Sequence, residues 1–180
     1  IGIRLPDTVV IAVEETEVSY AVQSEDGSWF LVSCQGKILE QVDGAVAYSN
    51  TRILGVKLED PQIGKTAVAS EMVAMPDVEA PSAPITVYNS ERLSAALQIA
   101  KEMETNEVLG ELATIDVSDM SNITAWYGKK FEIRLGDGAD IPKKVFSVVQ
   151  AISQLGQYQA GVLDASFTTW PDKVTYTPFN

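Results

Sequence analysis

The chain contains no histidine, which excludes imidazole general-base catalysis and histidine-ligated metal sites. Its one cysteine, Cys34, can form neither an internal disulfide nor a thiolate cluster for zinc. A lone cysteine fits a reducing cytosol, and equally a bacterial outer surface whose folds manage without disulfides. In "WFLVSCQG" it reads as a half-buried strand residue. Positive charge is also scarce: 13 Lys+Arg stand against 25 Asp+Glu, a net charge of −12. Such a surface repels phosphate backbones and anionic lipid, so no nucleic-acid partner is expected. No apolar run approaches the roughly 18 residues that a membrane span requires, and "TVVIAV" from Thr8 is only strand length. A basic-then-apolar start of the signal-peptide kind is lacking too. The chain begins at Ile1, in what already reads as a strand, and we expect it to be cut from a longer protein.

What is present suits a packed domain. The 180 residues are 46% hydrophobic and 21% charged, enough for one sizeable core and too apolar for disorder. The first third reads as short strands: Val9, Ile11 and Val13, then Val18, Tyr20 and Val22, recur at every second position. Asp26-Gly27 supplies a turn into a strand from Trp29 to Cys34, and Gly36 a second corner before Lys37 to Glu40. From Gln41 to Tyr88 the pattern loosens, with one short strand in "RILGVKLEDPQIGKT" and a proline-rich loop around residues 60–88 that contains Pro76, Pro81 and Pro84. A helical period follows, in which Leu93, Ala96, Leu97, Ala100 and Met103 share a face behind an Asn89 or Ser90 cap. Three strands come next, around Ala113 to Val117, Ile123 to Tyr127 and Phe131 to Leu135, the last two joined by a hairpin at Gly128-Lys129. A second helix carries Val145, Val148, Val149 and Ile152 inward; Asp140 or Ile141 caps it, Pro142 sits in its first turn and Gly156 is placed for a left-handed end. "AGVLDASF" and "DKVTYTPF" close the chain as strands. The expected fold is α+β: a mainly antiparallel, twisted β-sheet with two amphipathic helices packed on one face.

Several stretches invite a chemical reading. "IRLGDGADIPKKV" has too few glycines for a phosphate loop and no Ser/Thr after its lysines, and it lacks the alternating ligands and final glutamate of a calcium loop. A strand-to-helix corner accounts for every residue: Gly136 at positive φ, Asp137 capping the corner, Asp140 at the helix start. Glu14 and Glu15 are strand neighbours and face opposite sides, so they cannot flank one bond. No Gly-x-Ser-x-Gly elbow or Ser-x-x-Lys is present, and no catalytic residue, metal or cofactor is assigned. A rival reading, an extracytoplasmic ligand-binding module or a carboxylate-based hydrolase, requires several carboxylates such as Asp116, Asp119, Asp137 and Asp164 to converge in one cleft. The ending differs from the rest. "DKVTYTPFN" alternates Val174, Tyr176 and Pro178 with Thr175 and Thr177, and its charge is confined to Asp172 and Lys173. Such a strand either is covered by further chain or offers its backbone to a visiting strand.

Taken in order, these segments resemble the extracytoplasmic β-domain of the FtsQ/DivIB cell-division family. "LPDTVVIAVEETEVSYAV" is similar to that family's entry segment, "SWFLVSCQGKIL" to its first hairpin and "ILGVKLEDPQIGK" to its glycine-marked stretch. "FEIRLGDGADIPKKV" is similar to its strand–turn–helix, and "GVLDASF" with "KVTYTPF" to its closing strands. The likeness runs from about Leu5 to Phe179. Glu15, Ser33-Cys34 and Ala165-Ser166 depart from the family pattern, and the proline-rich loop is longer than usual. The resemblance implies residues 1–5 as a remnant of a preceding POTRA domain and residues 6–180 as the β-domain. It further implies a single-pass protein of the cell membrane, attached only through a helix upstream of this chain and carrying this domain outside the cytoplasm. Its implied role is non-enzymatic: a scaffold that binds FtsB/DivIC-like and FtsL-like partners by strand addition during septum formation. Carried over by position, Lys173, Val174, Thr175, Tyr176 and Thr177 form the receiving edge, with Phe167 and Tyr176 as aromatic anchors.

Overall fold

The computed structural model describes residues 18–73, 85–88, 90–106, 112–156, 159–168 and 170–179. The strand expected at Val9 to Val13, the POTRA remnant at 1–5, Glu14 and Glu15 with their neighbours, Asn89, and the prolines 76, 81 and 84 lie outside these residues.

The meander predicted at the start is present as β1 (Tyr20–Ser24), β2 (Trp29–Val32) and β3 (Ile38–Val42), joined antiparallel through corners at which Gly27 and Gly36 take positive φ. The stretch that reads as loose is more ordered than its sequence suggests. It holds α1 (Gly44–Ser49), whose cap Asp43 accepts from the Val46 amide, and β4 (Thr51–Leu58), the longest strand. A separate hairpin pairs β5 (Ser70–Val73) with β6 (Ile85–Tyr88). Next comes α2 (Glu91–Thr105), with the Ser90 hydroxyl accepting from the Leu93 amide as the cap. β7 (Leu112–Asp116), β8 (Ile123–Tyr127) and β9 (Phe131–Gly136) follow, then α3 (Ile141–Gln154), β10 (Gly161–Asp164) and β11 (Thr175–Pro178).

Among the described residues nine strands form one sheet in the order β11-β10-β9-β8-β7-β4-β1-β2-β3. The sheet is α+β as expected but mixed rather than mainly antiparallel: β1 with β4, β4 with β7 and β9 with β10 run parallel. Parallel neighbours need a long crossover, and the segments carrying α1, α2 and α3 are those crossovers. Among the described residues a third helix, α1, thus joins the expected pair, α2 and α3. Tyr20 and Val22 of β1 join α2 and α3 residues such as Ile99, Met103, Val145 and Val148 in the main core, and the Tyr20 hydroxyl donates to the Ala100 carbonyl at 3.3 Å. Burial holds that phenol well above its ordinary pKa, so it stays a donor. Ala21, between them, points the other way and packs with Leu31 and Ala47 of α1 in a second cluster. Apolar residues in β1 therefore serve both faces.

The end of α3 also departs from expectation. Its last turn closes at Leu155 in an extended conformation, and the Gly156 amide donates to Gln159 Oε1 at 2.6 Å, so no left-handed cap is needed. β4 keeps its place between β1 and β7 only by jumping register. Val22 opposes Ile53, but Gln23 opposes Lys57, and Gly55 sits in the bulge at φ +85°. A Cβ on Gly55 would lie 2.3 Å from the Ser118 amide nitrogen, a backbone atom that cannot step aside. Gly55→Ala is expected to destabilise the domain by about 2–3 kcal/mol, through strain at positive φ plus overlap. Urea unfolding measures this, and a loss below about 0.5 kcal/mol would show that β4 and the 118 loop are not held together here.

Candidate functional site

β10 decides what the end of the sheet can do. The Gly161 amide donates to the Lys130 carbonyl at 2.9 Å and the Ala165 amide to the Arg134 carbonyl at 2.8 Å. Backbone groups alternate sides along a strand, so those of residues 161, 163 and 165 turn to β9 and those of 160, 162 and 164 turn to β11. The Phe179 amide donates to the Ala160 carbonyl at 3.1 Å, which places Thr175, Thr177 and Phe179 as the residues of β11 that bond β10. Val174, Tyr176 and Pro178 face the other way. Among the described residues β11 pairs with β10 alone and forms the edge of the sheet. Gly161 opposes Pro178, and a Cβ there would stand 2.2 Å from the Thr177 carbonyl oxygen, so only glycine lets β11 approach this closely.

The residues proposed from sequence do not all face outward. Thr175 and Thr177 are exposed on the ribbon, and Lys173 precedes it with its ammonium 5.9 Å from the Trp170 ring. Val174 and Tyr176 are half-buried against the main core. The Tyr176 ring meets Phe131 edge-on at 6.4 Å, and its hydroxyl donates to the Ala160 carbonyl at 3.1 Å. Tyr176 thus anchors the ribbon to its own protein, while its backbone faces the free flank. Phe167, at φ +59°, lies in the β10–β11 connection, packed against the core with the Lys143 ammonium 5.9 Å from its ring. Lys143 also pairs with Asp172, so α3 tethers that connection from both sides. Two exposed aromatics were not foreseen: Trp170 (57% exposed), and Phe179 (46%), which stacks on Trp126 at 6.3 Å. Phe179 shares the side of Thr175 and Thr177, so continuing the alternation past Pro178 identifies it. The recess beneath Trp170, bounded by Asp164, Ser166 and Lys173, holds about 20 Å³, room for a water rather than a substrate.

The acidic residues of the rival reading are each occupied locally. Asp116 accepts from the Ser118 amide at 2.9 Å, Asp119 from the Ser121 amide and hydroxyl at 2.9 and 2.7 Å, and Asp164 from the Ser166 amide at 2.9 Å. Asp137 accepts from the Ala139 amide at 3.2 Å. Every one closes a turn with the residue two places on. Asp116, Asp137 and Asp164 end β7, β9 and β10, which share a direction, yet among the described residues no three acidic, cysteine or histidine side chains gather as a metal site. The Ser121 hydroxyl holds Asp119, and the Lys144 ammonium holds Asp137, below the usual carboxylate range. A general acid needs the opposite shift. A larger cleft of about 410 Å³, between α2 and the start of α3, is lined by Glu91, Ser94, Ala95, Gln98, Met120, Gly138 and Ile141, with no pair of carboxylates. Burial, followed by a hydrogen bond to Glu104, pushes the Cys34 thiol up to about 11, away from a reactive thiolate.

The Gly-Asp-Gly stretch is a corner, as its sequence suggests. Gly136 takes φ +68° and Asp140, left-handed at φ +53°, stands before the helix without capping it by its side chain. Lys144 is the part that sequence reading missed. Its side chain is 3% exposed, and its ammonium donates to Asp137 Oδ1 at 2.6 Å and to the Asp137 carbonyl at 2.9 Å. The second lysine of the pair is therefore a structural bolt between corner and helix.

No model of a known protein family matches the chain. It is 22% identical over 167 residues to the Cell division protein DivIB of Clostridium tetani, a match covering 91% of this chain and 56% of the relative. The chain thus spans little more than half the length of the curated relative it matches. This likeness supports a DivIB/FtsQ-like relationship at low identity.

The Asp137–Lys144 pair predicts how acid acts on the domain. Asp137 titrates lower folded than unfolded, so its contribution is present above the ordinary value of 3.8 and lost as pH falls through the folded one. Between pH 5 and pH 2 the wild type should therefore lose stability more steeply than Asp137→Asn. At neutral pH Asp137→Ala should cost about 1–3 kcal/mol by stripping a buried ammonium of a partner, and adding Lys144→Met should recover most of it. Equal acid slopes in denaturation series of the two proteins would contradict the assignment.

Proposed function

We propose that this domain is a non-enzymatic binding module of a cell-division assembly, and that it receives an extended segment of a FtsB/DivIC-like or FtsL-like protein as an added strand on β11. The carrying observation is the outer flank of β11, which no described residue pairs and which is neutral after Lys173. An edge of this kind supplies affinity through main-chain hydrogen bonds, while side chains beside it supply selection. The division role is drawn from the DivIB relative, whose name states cell division and nothing about partners.

The wider setting belongs to the same proposal: a single membrane helix and a preceding domain in the longer protein, with this domain on the extracytoplasmic side. Among the described residues no helix is long and apolar enough to cross a membrane. The net charge of −12 keeps the domain itself off anionic lipid. Catalysis has no part in the reading, since the site it invokes is backbone and the nearby carboxylates are spent on turns.

The edge is tested by removing one outward amide without touching the inward ladder. Val174→Pro does that, because the backbone of Val174 faces away from β10. A peptide spanning the extended segment of a FtsB/DivIC-like partner, titrated calorimetrically, should bind this variant about tenfold more weakly, the worth of one to two hydrogen bonds, with only the small loss of stability that changing the half-buried Val174 side chain brings. Thr177→Pro, which removes a bond to β10, should instead lower both binding and stability. Wild-type affinity in Val174→Pro would remove strand addition as the mode of binding.

A further inference from the structure

Pro178 stands in the outward-facing series of β11, with Val174 and Tyr176. Tyr176 offers a donor and an acceptor to the free flank, and Val174 just before the strand is placed to do the same. Pro178 offers a carbonyl only, because its nitrogen carries no hydrogen. The Phe179 amide bonds Ala160 on one side of Pro178, and Thr177 opposes Val162 on the other, so the proline nitrogen points away from the sheet. Prolines occur in sheets where the missing N–H faces solvent, which explains how this one is tolerated.

Resting on the strand-addition reading, we infer that Pro178 is a stop that makes this edge selective for a short partner segment. An antiparallel visitor runs from Pro178 toward Val174. Its residues opposite Tyr176 and Val174 each exchange a pair of hydrogen bonds with the edge. The residue opposite Pro178 can donate but finds no donor for its own carbonyl, so the ladder ends there. The partner segment must therefore begin its extended stretch at Tyr176, with a turn, a helix end or solvated chain immediately before it. The same gap disfavours a second copy of this chain. Two β11 strands related by a two-fold axis at Tyr176 would set Val174 of each against Pro178 of the other and leave both Val174 carbonyls without a donor. Few other obstacles guard the ribbon, since after Lys173 it carries no charge and no bulge interrupts its pairing with β10.

Two acetylated, amidated peptides serve as probes: the partner segment cut to the stretch opposite Val174 to Tyr176, and the same segment lengthened by three residues at its amino end, past Pro178. In wild type lengthening should add only the one hydrogen bond donated to the Pro178 carbonyl, a gain of about threefold or less. In Pro178→Val, which restores an outward amide, the longer peptide should bind about tenfold more tightly than the shorter, and sedimentation should show self-association at concentrations where wild type stays monomeric. Equal gains from lengthening in wild type and in Pro178→Val, with both peptides bound, would overturn the stop and leave strand addition standing. Binding of the longer peptide alone would overturn the stop, and failure of both peptides to bind wild type would sink strand addition and the stop with it.

Discussion

The hydrogen bonds from Gly161 to Lys130 and from Ala165 to Arg134 set the alternation on which the far end of the molecule depends. They turn half of the β10 backbone toward β9 and leave the other half for β11. This makes Thr175, Thr177 and Phe179 the inward residues of the last strand and Val174, Tyr176 and Pro178 the outward ones. Period-two geometry couples backbone direction to side-chain face. Val174 and Tyr176, whose backbones face outward, therefore send their side chains to the core, and for that reason Tyr176 can pack on Phe131 while its amide faces away from β10. Anchor and offered edge are the same residue.

Around this edge the fold is braced rather than loose. Gly161 allows a close approach, Tyr176 bonds Ala160, and Lys143 holds the connection through Asp172 and Phe167. Lys144 bolts the helix that carries Lys143 to the end of β9. A binding edge gains from such fixing, because a strand already held in place loses little further freedom when a second chain joins it. The acidic surface adds a constraint of another kind. With −12 overall, the surface repels anions and favours any partner that carries positive charge.

The carboxylates show how one residue type can suggest chemistry and perform architecture. Aspartates at strand ends repeatedly accept an amide two residues on, because a short acidic side chain at a corner completes a turn with little entropy loss. Sharing a direction, β7, β9 and β10 bring three of them to one end of the sheet without bringing them to one another.

Local sequence determined a good deal of this protein: the hairpins at Gly27 and Gly128, the Ser90 cap and buried face of α2, the inward Phe131, Ile133 and Leu135, the corner at Gly136, and the absence of histidine chemistry. These follow from φ preferences, capping chemistry and side-chain period, which act over a few residues. Local pattern did not reveal α1, the parallel neighbours of β4 or the buried pairing of Lys144, because each is settled by contacts that only the folded chain brings together. A parallel strand reads like an antiparallel one until its neighbour is known, and a lysine in a helix reads as solvated until a carboxylate and a carbonyl enclose it. Which flank of the last strand β10 occupies is the same kind of fact. Alternation in "KVTYTPF" announces two sides, but only the position of β10 decides which side is already taken.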